Sequence, residues 1–174
     1  MDIWQTIENR HSVRAFDSRH QVEDEAITRI LQAAVLAPSA GNRQPWHFVV
    51  VRRPQVRQRL ADAAGGQWFI ARAPVVIVVC TDAELSAERY GERGSDLYCK
   101  QDTAAATEHI LLAATALRLG SCWVGAFDDS AVITALQLSA NLHPVAMVPL
   151  GVPDKPTQRT TSRRELSQVV TYVE

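Results

Sequence analysis

The chain has 174 residues, and its 18 basic and 19 acidic side chains give a formal charge of −1. Hydrophobic residues make up 47% and charged residues 21%, which is ordinary for a globular protein and predicts one domain over residues 1–174. Balanced charge argues against a nucleic-acid partner. The longest apolar run, residues 73–80, is far shorter than the roughly 20 residues of a membrane span, so we expect no membrane contact.

In the first half of the chain, helix and strand patterns alternate. Asp2 is expected to cap a short helix. Apolar spacing predicts a second helix from about Glu23, which Pro38 would end. Residues 46–52 are β-branched or aromatic and predict a strand, and residues 54–64 predict another helix with proline in its first turn. The first helix carries three apolar residues on one side: Ile3, Trp4 and Ile7.

The middle of the chain contains the most apolar segments. Residues 74–80 are apolar throughout, as in a strand that is covered on both faces. The polar stretch 82–100 is expected to be a loop or lid. Residues 101–119 predict the longest helix, closed by Gly120. Because this helix is apolar nearly all round, it should be buried in the core or in a subunit interface.

The last part of the chain predicts two more strands and a helix. Residues 121–125 suit a short strand, and Asp128 or Asp129 would cap a helix through Leu138. Residues 144–152 predict a strand that Pro149 should make bulged or place at an edge. The polar, basic tail from Pro153 contains a strand-like segment, residues 169–173. An α+β layered structure follows, with the tail expected to reach a second subunit.

Targeting and metal signals are absent from the sequence. The N-terminus lacks the basic and apolar regions of a secretory signal, and the odd set of cysteines has no Cys-x-x-Cys pair, so we expect a cytoplasmic protein with reduced thiols. There is no dinucleotide fingerprint, P-loop, H-E-x-x-H or G-x-S-x-G motif, and no two histidines have metal-ligand spacing. We therefore predict neither a metal site nor a catalytic triad.

A basic cluster follows the first helix. Arg10, Ser12 and Arg14 point to one side if the segment is extended, because alternate residues of a strand share a face. Two guanidinium groups and a hydroxyl are suitable donors for a phosphate. The alternative is a solvated basic turn.

Two further segments carry polar groups. In residues 37–46, small residues would let a flat ligand approach the backbone, and Asn42 and Gln44 offer amide donors and acceptors; the alternative is an ordinary turn between helix and strand. The pair Arg163 and Arg164 in the tail would by itself be solvated, and gains interest only in combination with the other two segments.

Several motifs in register resemble the nitroreductase family of FMN enzymes, and they span nearly the whole chain. They are residues 10–16, 37–46, 73–79, Asp102, 111–120, 122–125, 151–153 and 163–166. The resemblance implies a nitroreductase-like α+β fold, with a central, mostly antiparallel sheet flanked by helices, in an intertwined homodimer. Two FMN sites would lie at the interface, each built from both subunits, and the tail of about residues 153–174 would embrace the partner.

The resemblance also implies cofactor-binding residues. Arg10, Ser12 and Arg163 would hold the FMN phosphate and ribityl chain, and Arg14 would lie near the pyrimidine edge, where a cation favours reduction. The remaining positions are Pro38, Ser39 and Ala40 from the other subunit with Asn42 nearby, Gln67 at the pyrimidine edge, and the backbone of Trp123, Val124 and Gly125 along the ring.

The implied activity is that of an FMN-dependent NAD(P)H oxidoreductase, which transfers hydride by a ping-pong mechanism to nitroaromatics, quinones or similar electrophiles. The flavin carries this chemistry, so no catalytic side chain is assigned. Two alternatives stay open: a specialised flavin enzyme, such as a reductive dehalogenase or a flavin-consuming oxygenase, and a non-catalytic flavin-binding dimer.

Other polar residues have less specific interpretations. Glu108 and His109 lie on the apolar helix, and we interpret them as satisfied polar groups at the dimer seam. Tyr90, Arg93 and Tyr98 lie in the polar stretch and would either shape the substrate pocket or belong to a solvated lid.

Overall fold

The computed structural model describes residues 1–156 and 161–174. Its helices are α1 (Ile3–Asn9), α2 (Asp24–Ala34), α3 (Pro54–Ala63), α4 (Phe69–Arg72), α5 (Ala83–Tyr90), α6 (Cys99–Ala116) and α7 (Asp129–Leu136). Its strands are β1 (Trp46–Val51), β2 (Val75–Asp82), β3 (Gly120–Ser121) and β4 (Leu142–Gly151). Short 3-10 turns occur at Ala40–Asn42 and Leu166–Gln168, and a π-helical turn at Gly94–Tyr98 precedes α6.

The strands form an antiparallel sheet in the order β1-β2-β4-β3, with helices on both faces. Alternate residues of β2 enter two different apolar clusters, as the period of a strand requires. One cluster joins Val75, Ile77 and Val79 to α2 and α6. The other joins Val76, Val78 and Cys80 to α3, α4 and α7. The predicted α+β class and central antiparallel sheet are confirmed.

Helix α1 forms as predicted, but its apolar side is not covered by the chain. The Asp2 side chain accepts a hydrogen bond from the Gln5 N–H, and the Gln5 side chain accepts one from the Asp2 N–H, which completes a capping box. Ile3, Trp4 and Ile7 are 59%, 73% and 45% exposed. Within the described chain, this side of α1 therefore faces outward.

The expectation of a loop over residues 82–100 is wrong. The stretch contains α5 and the π-helical turn, which runs directly into α6. Asp82 caps α5 by accepting from the Leu85 N–H, and Gly94 lies so close to the backbone of Ser86 that a side chain would overlap it. The helix has no wide apolar stripe because Ser86 is its buried residue. The polar composition of residues 82–100 therefore gave no indication that they contain a packed helix.

Three strand predictions need correction. The strand expected at residues 121–125 reduces to β3, after which Val124 makes an isolated bridge to Met147. Of the two alternatives for β4, the bulge is present and the edge position is wrong: β4 lies between β2 and β3, and its pairing with β2 shifts register at Val79/Cys80, away from Pro149. Residues 169–173 form no strand, because they are exposed and make no ladder within the described chain.

None of the helices in the described ranges combines the length and hydropathy needed to traverse a lipid bilayer.

Candidate cofactor site

The segment after α1 is extended and lies beside the end of the sheet. Ser12 forms a parallel bridge with Ser121, and the Val13 N–H donates to the Ser121 carbonyl at 2.8 Å. Val13 is buried, whereas Ser12 and Arg14 on either side of it are exposed. A Cβ on Gly120 would lie 2.8 Å from Val13 Cγ1, so glycine at the start of β3, rather than at the end of α6 where the sequence predicted it, permits this close approach. The predicted alternation is therefore present over residues 12–14, whereas Arg10 and His11 are both half-buried.

The basic segment lies beside the chain at Cys122, because Ser12 bridges to Ser121, the residue before this cysteine. Burial raises the pKa of the Cys122 thiol, while the charge of Arg14, a hydrogen bond with Ser12 and the charge of Arg10 act in the opposite direction. Sequence reasoning did not identify Cys122 as a neighbour of this segment, because the two are more than a hundred residues apart and meet only through the bridge to β3.

The two arginines of the segment are each supported from within the chain. Arg10 Nε lies 3.7 Å from Glu108 Oε1 on α6, and the Arg10 side chain is 22% exposed. The Arg14 guanidinium carbon lies 5.9 Å from the centre of the Phe69 ring. A guanidinium group has five N–H donors, so an ion pair through one nitrogen leaves donors for an anionic ligand.

A cleft of about 340 Å³ lies along the chain that follows Cys122. Trp123 and Gly125 line one side of it, and Thr103, Ala104 and Thr107 of α6 line another. The Val124 N–H donates to the Met147 carbonyl at 2.9 Å, and the Val124 carbonyl accepts from the Met147 N–H at 2.9 Å, so this backbone is fixed to β4. The exposed backbone at Trp123 and Gly125 is thus held in a rigid position beside the cleft.

The turn at residues 38–44 is held by hydrogen bonds at both ends. Ser39 Oγ accepts from the Gln44 N–H at 3.0 Å, and the Ala40 N–H donates to Asp102 Oδ1 on α6 at 3.0 Å. Asn42 has φ +55°, in the left-handed region. Pro38, Ser39, Ala40 and Asn42 therefore lie in one fixed turn, apart from the basic segment.

Helix α5 supports the other side of this turn. Arg43 Nε donates to the Leu85 carbonyl at 2.9 Å, and the Arg43 guanidinium pairs with Glu88. Gly41, also in the left-handed region, lies against the Tyr90 hydroxyl, where a larger residue would overlap. The turn is consequently wedged between α5 and α6.

Gln67 and Arg163 have hydrogen-bond partners within the chain. The Gln67 amide donates to the carbonyls of Ala64 and Ala126 at 3.1 and 3.3 Å, and Ala126 directly follows Gly125 of the cleft. Arg163 Nη1 bonds with its own neighbours, Thr161 Oγ1 at 3.1 Å and the Ser162 carbonyl at 3.0 Å. Within one chain, Arg163 therefore contacts its own tail segment, and Arg10 pairs with α6.

The remaining polar residues of α6 and of residues 82–100 also have partners within the chain. Glu108 pairs with Arg10, and His109 Nδ1 lies 2.8 Å from the Ala33 carbonyl. The Tyr90 and Tyr98 rings meet edge to face at 5.1 Å, and Arg93 Nε donates to the Tyr98 hydroxyl at 2.8 Å. Within residues 1–156 and 161–174, no cluster of histidine, cysteine or acidic side chains could hold a metal ion.

Asp102 is one of the positions that carry the family resemblance, but sequence reasoning assigned it no role in the site. It is 6% exposed, and burial raises the pKa of its carboxyl group while the hydrogen bond from the Ala40 N–H acts against this. The sequence does carry a signal, because Asp102 is an acidic residue on the buried side of a largely apolar helix.

A family model and two relatives of known sequence each match most of this chain. The family model described as "Nitroreductase family" matches residues 7–71 and 65–152. A protein of Archaeoglobus fulgidus that bears the names NADH dehydrogenase and NAD(P)H nitroreductase is 41% identical over 151 residues, covering 84% of this chain and 83% of the relative. An NADH dehydrogenase of Thermus thermophilus is 30% identical over 171 residues and covers 83% of each chain.

Solved structures extend the similarity to the whole fold. A nitroreductase family protein from Clostridium difficile superposes with a TM-score of 0.87 at 30% identity, covering 99% of this chain and 98% of the other. One from Streptococcus pneumoniae has a TM-score of 0.90 at 24% identity, covering 99% and 100%, and supports the fold alone. The sequence matches and the shared architecture together establish that this chain belongs to the nitroreductase family.

Proposed function

We propose that the protein is an FMN-dependent NAD(P)H oxidoreductase. The observation that carries the proposal is the bridge that places the basic segment beside Ser121, from which the chain continues through Trp123 and Gly125 along the cleft. Relatives whose names include NADH dehydrogenase and NAD(P)H nitroreductase support a nicotinamide electron donor.

The donor set of the basic segment fits the phosphate of FMN. Arg10 supplies charge-assisted donors and Ser12 a neutral one, both from the segment that follows α1. Such bonds are stronger than neutral ones, and a guanidinium fork matches a phosphate geometrically. Arg163 would complete the set in the assembled protein.

The cleft fits a flat ring system. Gly125 and Ala104 present little side chain, and the tie between Val124 and β4 keeps the adjoining backbone N–H groups in fixed positions. The flavin ring supplies the redox chemistry by accepting a hydride from NAD(P)H and then passing it to an electrophile such as a nitroaromatic or a quinone. The chain's own part is to orient the ring, to keep one side of it open and to supply positive charge through Arg14.

The site is proposed to be completed in a homodimer. Ile3, Trp4 and Ile7 form an exposed apolar side of α1, and the tail residues 161–174 are exposed along their whole length. Apolar surface of this kind is characteristic of a subunit interface. We propose that the tail, with Arg163, embraces the partner and that Pro38–Ala40 and Asn42 act on the partner's flavin, with Gln67 at the pyrimidine edge.

The arrangement of the cysteines supports the proposed compartment. Cys80, Cys99 and Cys122 are unpaired and buried. We therefore propose that the protein works in the reducing cytoplasm.

The decisive experiment is a visible absorption spectrum of the purified protein under argon, before and after addition of NADPH. We expect a yellow protein whose flavin bands bleach and return when a quinone is added. A colourless protein that neither quenches added FMN fluorescence nor gains thermal stability from FMN would overturn the proposal. Bound flavin without NADH or NADPH oxidation in the presence of acceptors would instead indicate a non-catalytic flavin-binding dimer.

A further inference from the structure

Asp102 connects the longest helix to the turn at residues 38–44. The residue is 6% exposed, and its Oδ1 accepts a hydrogen bond from the Ala40 N–H at 3.0 Å across 62 positions of sequence. The other oxygen, Oδ2, is buried and has no hydrogen-bond partner among the described residues. A buried carboxylate with one unpartnered oxygen is costly, since burial without full hydrogen bonding disfavours a polar group. Packing alone would be served better by an apolar residue.

The turn needs such an anchor because its backbone is strained. Gly41, Asn42 and Gln44 have φ of +55°, +55° and +53°. Residues other than glycine rarely adopt this backbone region, and strain of this kind persists where surrounding contacts enforce it. The bond from the Gln44 N–H to Ser39 Oγ closes the turn locally, whereas the bond to Asp102 fixes it relative to α6.

We propose that Asp102 is a positioning residue of the cofactor site, whose buried carboxylate fixes the turn through the Ala40 N–H. The inference rests on the proposed function, in which Pro38, Ser39 and Ala40 contact the flavin. Asp102 does not touch the cofactor; it determines where the turn presents these residues. Because α6 also lines the cleft beside Trp123, one helix sets the positions of both parts of the site.

The acceptor oxygen is the property that matters, and this separates the proposal from a general role in packing. Asp102→Asn keeps an oxygen that can accept the Ala40 N–H, whereas Asp102→Ala and Asp102→Leu remove it. Thr115→Ala is a control on the same helix, because Thr115 Oγ1 donates within α6 to the Leu111 carbonyl at 2.9 Å and is remote from the turn.

The test combines FMN titration with hydrogen exchange of the flavin-free protein, observed on peptides covering residues 38–46 and on β4. We expect the Ala and Leu variants to weaken FMN binding by about tenfold or more, the cost of leaving the Ala40 N–H without its acceptor. Exchange should accelerate in residues 38–46 while β4 stays protected. Asp102→Asn and Thr115→Ala should resemble the unaltered protein in both measurements.

The outcomes distinguish this inference from the proposed function. If the unaltered protein does not bind FMN, the proposed function fails and the positioning role falls with it. If it binds FMN and Asp102→Ala binds equally well, only the positioning role is overturned. The positioning role is also overturned if Asp102→Asn binds FMN as weakly as Asp102→Ala. It is overturned as well if β4 loses protection from hydrogen exchange to the same degree as the turn.

Discussion

Arg10 on the segment after α1 is paired with Glu108 on α6, at 3.7 Å between Nε and Oε1. The two side chains are 22% and 47% exposed, so the pair lies at the edge of the surface rather than in the core. Exposed pairs of this kind contribute little stability. The pair therefore positions the Arg10 guanidinium near Ser12 and Arg14 while contributing little to the stability of the fold.

The first prediction concerns this cation. Arg10→Ala should weaken FMN affinity by about 1.5–3 kcal/mol, or roughly 10- to 150-fold, because a hydrogen bond to a charged group is lost. Fluorescence titration with FMN measures the change. Glu108→Gln is the control: it removes the competing carboxylate but keeps Arg10, so affinity should be unchanged or tighter. If Arg10→Ala binds FMN as tightly as the unaltered protein, Arg10 is not part of the site.

A second prediction concerns assembly through α1. Trp4 is 73% exposed in the single chain and lies beside Ile3 and Ile7 on the same helix. A glutamate at position 4 would have to be desolvated in an apolar interface, which is unfavourable. Trp4→Glu should therefore shift the protein from dimer to monomer in sedimentation velocity at micromolar concentration, while Trp4→Phe should remain dimeric. A monomeric unaltered protein, or a dimeric Trp4→Glu variant, would refute this interface.

The elements that the sequence predicted are those whose pattern reflects burial directly. Residues 74–80 are apolar at every position because β2 is covered on both faces, and α2 shows its helical spacing because Ile27, Ile30 and Ala34 face the core. Helix α5 was not predicted, because the residue that it buries, Ser86, is small and polar. Its formation depends on the Asp82 cap and on the close approach of Gly94.

The same reasoning explains which parts of the site were predictable. Alternation within residues 10–14 is local, so Arg10, Ser12 and Arg14 could be placed on one side from the sequence. The roles of Cys122 and Asp102 depend on contacts between distant segments, namely the bridge from Ser12 to Ser121 and the bond from Ala40. Such contacts follow from tertiary packing, which no local pattern encodes.

A third prediction concerns Gly41. Its φ of +55° is strained for any residue with a side chain, and a Cβ there would overlap the Tyr90 hydroxyl. Gly65 has φ +68° with open space around it, so Gly65→Ala measures the backbone cost alone, about 1–2 kcal/mol. Gly41→Ala should lower the free energy of unfolding in urea by more than that. The excess should shrink in a Tyr90→Phe background, and an unchanged excess would contradict the proposed overlap.

The fourth prediction concerns acid stability. The Asp17 carboxylate accepts from Arg19 Nε at 2.9 Å, from Arg19 Nη2 at 2.6 Å and from the Arg19 backbone N–H at 3.0 Å, with His20 Nδ1 at 3.1 Å. The Arg19 side-chain bonds and then its backbone bond hold the pKa of Asp17 well below the ordinary value.

A pKa that is lower in the folded state than in the unfolded chain means that folding favours the ionised carboxylate. The resulting stability is fully present above the unfolded pKa of about 3.9 and is lost as the pH falls toward the lower folded pKa. Asp17→Asn should therefore be less stable than the unaltered protein at pH 7, and the difference should narrow in thermal melts recorded at decreasing pH below about 4. Arg19→Gln removes the main cause of the lowered pKa and should give the same convergence. Melting temperatures that differ by a constant amount across this pH range would mean that Asp17 stabilises the fold without its charge.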